Sequence, residues 1–138
     1  MTRDEEWMQK ALELARDAAK IGEVPVGAIV VFEDRIVGRA HNRREIDRNP
    51  LAHAELLAIH QASMHLDRWR LTGCTLYVTL EPCPMCAGAL INARLDRLVF
   101  GALDEKIIPN HRISTTSGVL SSESAALLKQ FFKEKRQK

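Results

Sequence analysis

A histidine, a glutamate two residues on, and a cysteine pair carry the chemistry this sequence offers: His53-Ala54-Glu55 and Cys83-Pro84-Met85-Cys86. Imidazole and thiolate are preferred donors for tetrahedral Zn²⁺, and three protein ligands leave the fourth position for water. His53, Cys83 and Cys86 supply those three, so the site reads as catalytic and not structural. Glu55 is the carboxylate that the motif sets beside that water, where it would carry protons. A Cys-x-x-Cys taken alone equally fits a redox pair or half of a structural zinc site. With three cysteines in the chain, Cys74 is the only one left over. No second pair exists to close a Cys₄ site, and Cys74 reads as a small buried residue at a strand start.

The spacings call for helix starts. Cys83 and Cys86, at i and i+3, share one face of a first turn, where Pro84 costs no hydrogen bond. His53 and Glu55 would diverge in mid-helix, but at a helix tip both can reach a site lying beyond it. Two helix N-termini aimed at one point favour thiolates. They also leave first-turn N–H groups, Ala54's among them, for a substrate oxygen or nitrogen.

Periodicity supplies the elements. Trp7, Met8, Ala11, Leu12, Ala15, Ala18 and Ala19 mark an amphipathic helix ending near Gly22. Val24–Val31 is a buried strand, and Glu33-Asp34 turns it into Ile36–Ala40 as a hairpin. A polar loop from Asn42 to Asn49, with Arg43, Arg44 and Arg48, leads to the His53 helix, which runs through Leu57 and Ile59 to about Ser63. Thr75–Leu80 is a strand that delivers the chain onto Pro82-Cys83; the Cys86 helix follows to about Ala93, then a strand at Leu98–Phe100. That order predicts a parallel pair, with the ligands where strand ends meet helix starts, the usual binding edge of an α/β sheet. Asp104–Arg112 is a connector, Ile113–Leu120 holds a last short strand interrupted by Gly118, and Ala125, Leu128 and Phe132, flanked by Leu127 and Phe131, mark a C-terminal helix.

The 138 residues, 46% hydrophobic and 28% charged, fit one soluble domain, residues 1–138, with one core. No apolar run is long enough to span a membrane, and Met1–Glu6 has no signal-peptide pattern. Cysteines committed to metal point to a reducing, cytoplasmic compartment. The net charge is +2, yet the last ten residues alone carry +4. Such a run is either a solvated helix end or a phosphate-contacting tail.

Beyond these motifs, the chain resembles the zinc-dependent nucleobase deaminases, and most closely the bacterial tRNA-specific adenosine deaminases, whose signature joins His-x-Glu to Pro-Cys-x-x-Cys. The resemblance spans nearly the whole chain: Gly22–Ala28, Ala40–Arg43, Ala52–Glu55, Thr75–Cys83, Met85–Ala89, Phe100–Ala102, Asn110–Arg112 and Phe131-Phe132. It implies an α/β/α sandwich around a mixed, mostly parallel sheet of about five strands, and a homodimer. The implied reaction is hydrolysis of adenosine to inosine at the wobble position of a tRNA anticodon, with Zn²⁺ as cofactor. By the same resemblance Asn42 binds the base or its ribose, Ala54 offers its N–H to the purine edge, and Asp104 and Arg112 touch the backbone of the flipped nucleotide. Phe131 and Phe132 fit the core, though one of them can stack on a flanking base.

One departure stands out. The family has a longer, Gly-rich stretch with a short helix between Phe-Gly-Ala and Asn-His-Arg, where this chain has only Leu103–Pro109. No helix is therefore predicted between Phe100 and Ile113. Nine residues fully extended span about 30 Å, so an extended crossover to a parallel last strand is favoured over a hairpin. A shortened wall would also open the cleft to unstructured RNA or DNA. Rival readings remain: a deaminase of a free base or of single-stranded DNA, or a non-catalytic zinc-containing RNA-binding subunit, against which Glu55 argues.

Overall fold

A computed structural model describes residues 1–104 and 114–136. The element order is α1 (Arg3–Lys20), β1 (Gly27–Phe32), β2 (Arg35–His41), α2 (Ala54–Leu66), β3 (Cys74–Leu80), α3 (Pro84–Asn92), β4 (Arg97–Ala102), β5 (Ser114–Thr116) and α4 (Ser121–Arg136). The five strands form one sheet in the order β2-β1-β3-β4-β5. β1 is antiparallel to both β2 and β3, while β3, β4 and β5 run parallel. Four strands therefore share one direction and β1 opposes them, as expected of a mixed, mostly parallel sheet.

Strand alternation divides the core between the two faces of the sheet. Ile29, Val31, Tyr77 and Val99 meet Met8, Ala11 and Leu12 of α1. Ala28, Val30, Leu76, Val78, Leu98 and Phe100 meet Ala54, Ala58 and Ala62 of α2 and Leu90 of α3. α4 packs with α1, on the first face. The result is the α/β/α sandwich. Small residues on α2 let it lie close on the sheet: a Cβ on Gly38 of β2 would stand 2.2 Å from the Ala58 carbonyl oxygen.

Several boundaries differ from expectation. β1 starts at Gly27, not Val24, because the Val26 N–H is spent on the Val24 carbonyl at 2.8 Å, a local turn that keeps Val24–Val26 out of the ladder. α2 runs three residues past Ser63, to Leu66, and stops where Asp67 turns left-handed (φ 54). The hairpin turn does fall on Glu33-Asp34, both left-handed (φ 49 and 60), which suits the twist of a two-residue hairpin. On α4, Phe131 is buried and Phe132 is 46% exposed, so the two phenylalanines do not share a fate. The last strand is parallel to β4, with Arg97 opposite Ser114 and Val99 opposite Thr116, as an extended crossover requires. The expectation of no helix between Phe100 and Ile113 falls mainly on residues outside those described. No helix of the described residues is long and apolar enough to cross a membrane.

Candidate metal centre and substrate cleft

Two helices begin at the same edge of the sheet. His53 is the N-cap of α2 and Cys83 the N-cap of α3, both with extended backbones (φ −81, ψ 147 and φ −67, ψ 169). Neither caps its own helix with its side chain, so imidazole and thiol are free to point beyond the helix tips. Pro84 occupies the first turn as its spacing predicted, and Cys86 follows one turn in, fully buried.

The three side chains meet. His53 Nδ1 lies 3.5 Å from Cys86 Sγ and 3.8 Å from Cys83 Sγ, and the three donor atoms all fall within 4.8 Å of one another. A tetrahedral ion with Zn–N of about 2.0–2.1 Å and Zn–S of about 2.3 Å has N···S edges of about 3.6 Å. The donor set and its spacing fit that ion without rearrangement.

Burial sets the protonation states. Desolvation, helped by the charge of Arg44, lowers the His53 imidazole and keeps it neutral, the form that donates to a metal. Desolvation, joined by the charges of Glu55 and Cys83, pushes the Cys86 thiol far up. Glu55 is 4% exposed; burial raises its carboxyl, while bonds from its own backbone N–H and from Cys86 pull the other way. A bound divalent cation would draw both the thiol and the carboxyl back towards their charged forms. Metal uptake at this site would therefore release protons.

Asn42 and Ala54 lie together, but not as expected. The Ala54 N–H is not free for a ligand in this structure, since it donates to Asn42 Oδ1 at 2.9 Å. Burial explains the difference: a buried first-turn donor takes the nearest protein acceptor. Asn42 is itself fixed through its N–H to the Val26 carbonyl at 3.1 Å. Asp104 lies across the cleft, its N–H donating to Glu81 Oε1 at 3.2 Å. Arg112 lies outside the described residues.

A cavity of about 350 Å³ opens over the metal donors. Val24, Val26 and Leu80 form its apolar wall, and Asn42, Arg44, Glu81 and Asp104 its polar one. Phe132 stands at the side, which explains its exposure. The volume is in the range of small-ligand sites, about 300–1,000 Å³.

Sequence reasoning missed three contributors. Glu23, 2% exposed, accepts the N–H of Ile46 at 2.8 Å and of Glu45 at 3.3 Å, and so ties down the loop that carries Arg44. Its signal was an acid among Gly22, Val24, Pro25 and Val26 at the entrance to a buried strand. Glu81, 3% exposed, anchors Asp104. Arg44 reaches the cavity while its neighbour Arg43 is held by Asp47 at 3.0 Å. Nothing in the sequence separates those two adjacent arginines.

The MafB19-like deaminase family profile matches residues 2–136. The tRNA-specific adenosine deaminase of Bacillus subtilis (strain 168) is 46% identical over 151 aligned positions that span 100% of this chain and 94% of that protein. The alignment is 13 positions longer than this 138-residue chain, so the relative carries residues that this chain lacks, in keeping with the short connector. A solved structure from work on A-to-I editing by tRNA:A34 deaminases at the wobble position of transfer RNA is 40% identical. It superposes with a TM-score of 0.84 over 89% of this chain and 99% of that one. A guanine deaminase from Nitrosomonas europaea, 29% identical, gives a TM-score of 0.85 over 95% of this chain and 85% of that one.

Proposed function

This chain belongs to the MafB19-like deaminase family and, within it, to the tRNA-specific adenosine deaminases, and on that footing we propose that it converts adenosine to inosine in RNA, at the wobble position of a tRNA anticodon. The carrying observation is 46% identity over the full length to such an enzyme, in a chain whose three metal donors meet beside the buried Glu55 carboxylate.

The reaction adds water to C6 of adenine and releases ammonia; a C6–O bond forms and the C6–N bond breaks. His53, Cys83 and Cys86 would hold Zn²⁺, which when bound supplies the acidity that makes water nucleophilic near neutral pH. Glu55 moves the protons: it accepts one from the water, passes it to ring N1, and later delivers one to the departing amino group. Its burial suits the task, because desolvation raises the carboxyl above its ordinary range and makes it the readier proton carrier. Asn42 spends its oxygen on Ala54, which leaves its amide N–H groups for the base or ribose. Asp104 and Arg112 would contact the backbone of the flipped nucleotide, and Phe132 offers a face for a flanking base. A homodimer acting in the cytoplasm belongs to the same reading.

The free-base reading is favoured by one observation, the close superposition with a guanine deaminase. One assay separates the two. The metal-loaded protein is incubated with an anticodon stem-loop, a linear RNA and DNA of the same sequence, and free guanine. Inosine in the stem-loop is expected, with the linear strands relatively well accepted because the connector is short. Xanthine from guanine, with no inosine in any strand, overturns the RNA reading.

A further inference from the structure

At the end of the molecule away from the metal donors, α2 and α3 finish beside each other in two tight turns. α2 ends at Asp67 (φ 54), and the turn after α3 holds Arg94 in the left-handed region (φ 61). Arg94 closes α3 there, its N–H donating to the Ile91 carbonyl at 3.1 Å and that of Leu95 to the Leu90 carbonyl at 3.3 Å.

Trp69 sits between the turns, 56% exposed. Two guanidiniums lie over its ring, Arg70 at 4.5 Å from the centroid and Arg94 at 5.9 Å. The guanidiniums are held in place by neutral groups. Arg68 donates to the Arg70 carbonyl at 2.6 Å and to the Thr72 hydroxyl and carbonyl at 3.1 Å each. Arg94 donates to the carbonyls of Ile91 at 3.0 Å and Asn92 at 3.1 Å. Among the described residues none of these three arginines pairs with a carboxylate. Two cations, Arg70 and Arg94, thus stand over an exposed indole, and a third, Arg68, whose guanidinium lies over the Phe32 ring at 5.2 Å, adjoins it in the chain.

We propose that Arg68, Trp69, Arg70 and Arg94 form a second RNA-binding surface, one that holds the part of the substrate outside the loop being deaminated. An exposed aromatic face stacks on any base, and guanidiniums bind phosphates, so the pairing suits a nucleic-acid strand better than an acidic peptide, which has no use for the ring. α2 starts at the metal donors and its 13 residues, about 20 Å, end at this surface. That reach corresponds to roughly six steps of a duplex at about 3.4 Å per step. A base in the cleft and phosphates on this surface then belong to one folded RNA, and an oligonucleotide confined to the cleft cannot touch both. The inference rests on RNA being the substrate.

Trp69→Ala combined with Arg70→Glu removes the platform and reverses one charge while leaving Arg68 and Arg94 to close their helix ends. Deamination is measured on a whole tRNA and on an oligonucleotide too short to leave the cleft, across a salt series. The double variant is expected to raise KM for the tRNA by about tenfold and flatten its log–log salt dependence by about one unit. kcat and the KM for the short oligonucleotide are expected to stay unchanged, and Arg70→Lys should retain most of the tRNA affinity. An unchanged tRNA KM and salt slope, or an equal loss on both substrates, overturns the proposal. So does oligo-glutamate binding the wild type but not the double variant while labelled stem RNA binds both equally, which marks the surface as one for acidic peptides. If the wild type makes no inosine at all, the functional reading fails, and anisotropy of labelled stem RNA with both proteins still decides this surface by itself.

Discussion

Residues 27–102 set each metal donor where a buried strand or its loop runs into a helix, whereas residues 114–136 flank the cleft with a three-residue edge strand and a half-buried helix. Six of the seven residues from Cys74 to Val78 and from Thr79 to Leu80 that make up β3 are either buried or sit beside the core, and the strand runs straight into Cys83. β5, by contrast, is exposed at Ser114 and Thr115, and among the described side chains of α4 only Ser124 and Phe131 are buried. A metal centre tolerates errors of a few tenths of an ångström in its donors, and close packing is what holds them there. A wall that admits a nucleotide needs no such precision. The comparison teaches that chemistry and substrate choice rest on different amounts of packing, so they should fail separately.

The largest expected effect lies wholly in the first region. Glu55→Ala removes the proton carrier but no donor, so about one zinc per chain should remain while kcat falls by about 10²-fold or more. Cys83→Ala should lose the metal and, with it, folding stability. Metal analysis beside the assay decides the matter, and loss of zinc in Glu55→Ala would break the division of roles.

A smaller effect is expected where the regions touch. A Cβ on Gly101 of β4 would lie 2.7 Å from the Thr79 carbonyl oxygen and 2.6 Å from Ser124 Oγ. The Ser124 hydroxyl lies buried without a hydrogen-bond partner among the described residues, so little slack exists on that side. Gly101→Ala should destabilise by about 1–3 kcal/mol in urea unfolding, with metal content intact. An unchanged midpoint would show that α4 yields freely.

Much of this arrangement was legible in the sequence, because it depends on spacing. The i, i+3 cysteines, the His-x-Glu and the strand patterns placed three donors at two helix tips, and the structure brings those donors together. What escaped depends on long-range pairing. Glu23 looks like a surface acid until residues 45 and 46 fold over it. The Ala54 N–H looked free because the side chain that takes it lies twelve residues back, at Asn42. Phe131 and Phe132 are adjacent and alike, and only the line of α4 across the sheet decides which one enters the core.

Phe132 gives a finer test. Its ring is 46% exposed beside the cavity. Phe132→Ala should therefore leave unfolding within about 0.5 kcal/mol of the wild type. If the ring stacks on a flanking base, KM for RNA should rise by up to about tenfold. A large loss of stability with unchanged KM would make Phe132 a core residue in effect and merge the two regions.

The smallest effect concerns the clamp that joins them. Asp4 accepts from Arg97 at 2.6 and 3.0 Å and from the Tyr77 hydroxyl at 2.8 Å, and the same Arg97 reaches the Thr116 hydroxyl of β5 at 2.9 Å. Arg97 first, then Tyr77, hold the Asp4 carboxyl below its ordinary range against an opposing desolvation. The folded state thus binds fewer protons than the unfolded one at this group. Its contribution is complete above the unfolded value, about 3.9, and is lost as pH falls through the lower folded value. Both partners are partly exposed, so the pair is worth at most about 1 kcal/mol. Asp4→Asn should lower Tm slightly at neutral pH, and the two melting curves should converge as pH drops below about 4. Other carboxylates titrate there as well, but they do so in both proteins and cancel in the difference. Amide exchange should show Ser114–Thr116 loosening in acid before Thr75–Leu80, since the edge strand has little else to hold it. Curves that stay parallel down to low pH would mean that β5 is held by its ladder to β4 alone, and that the weaker region does not depend on this clamp.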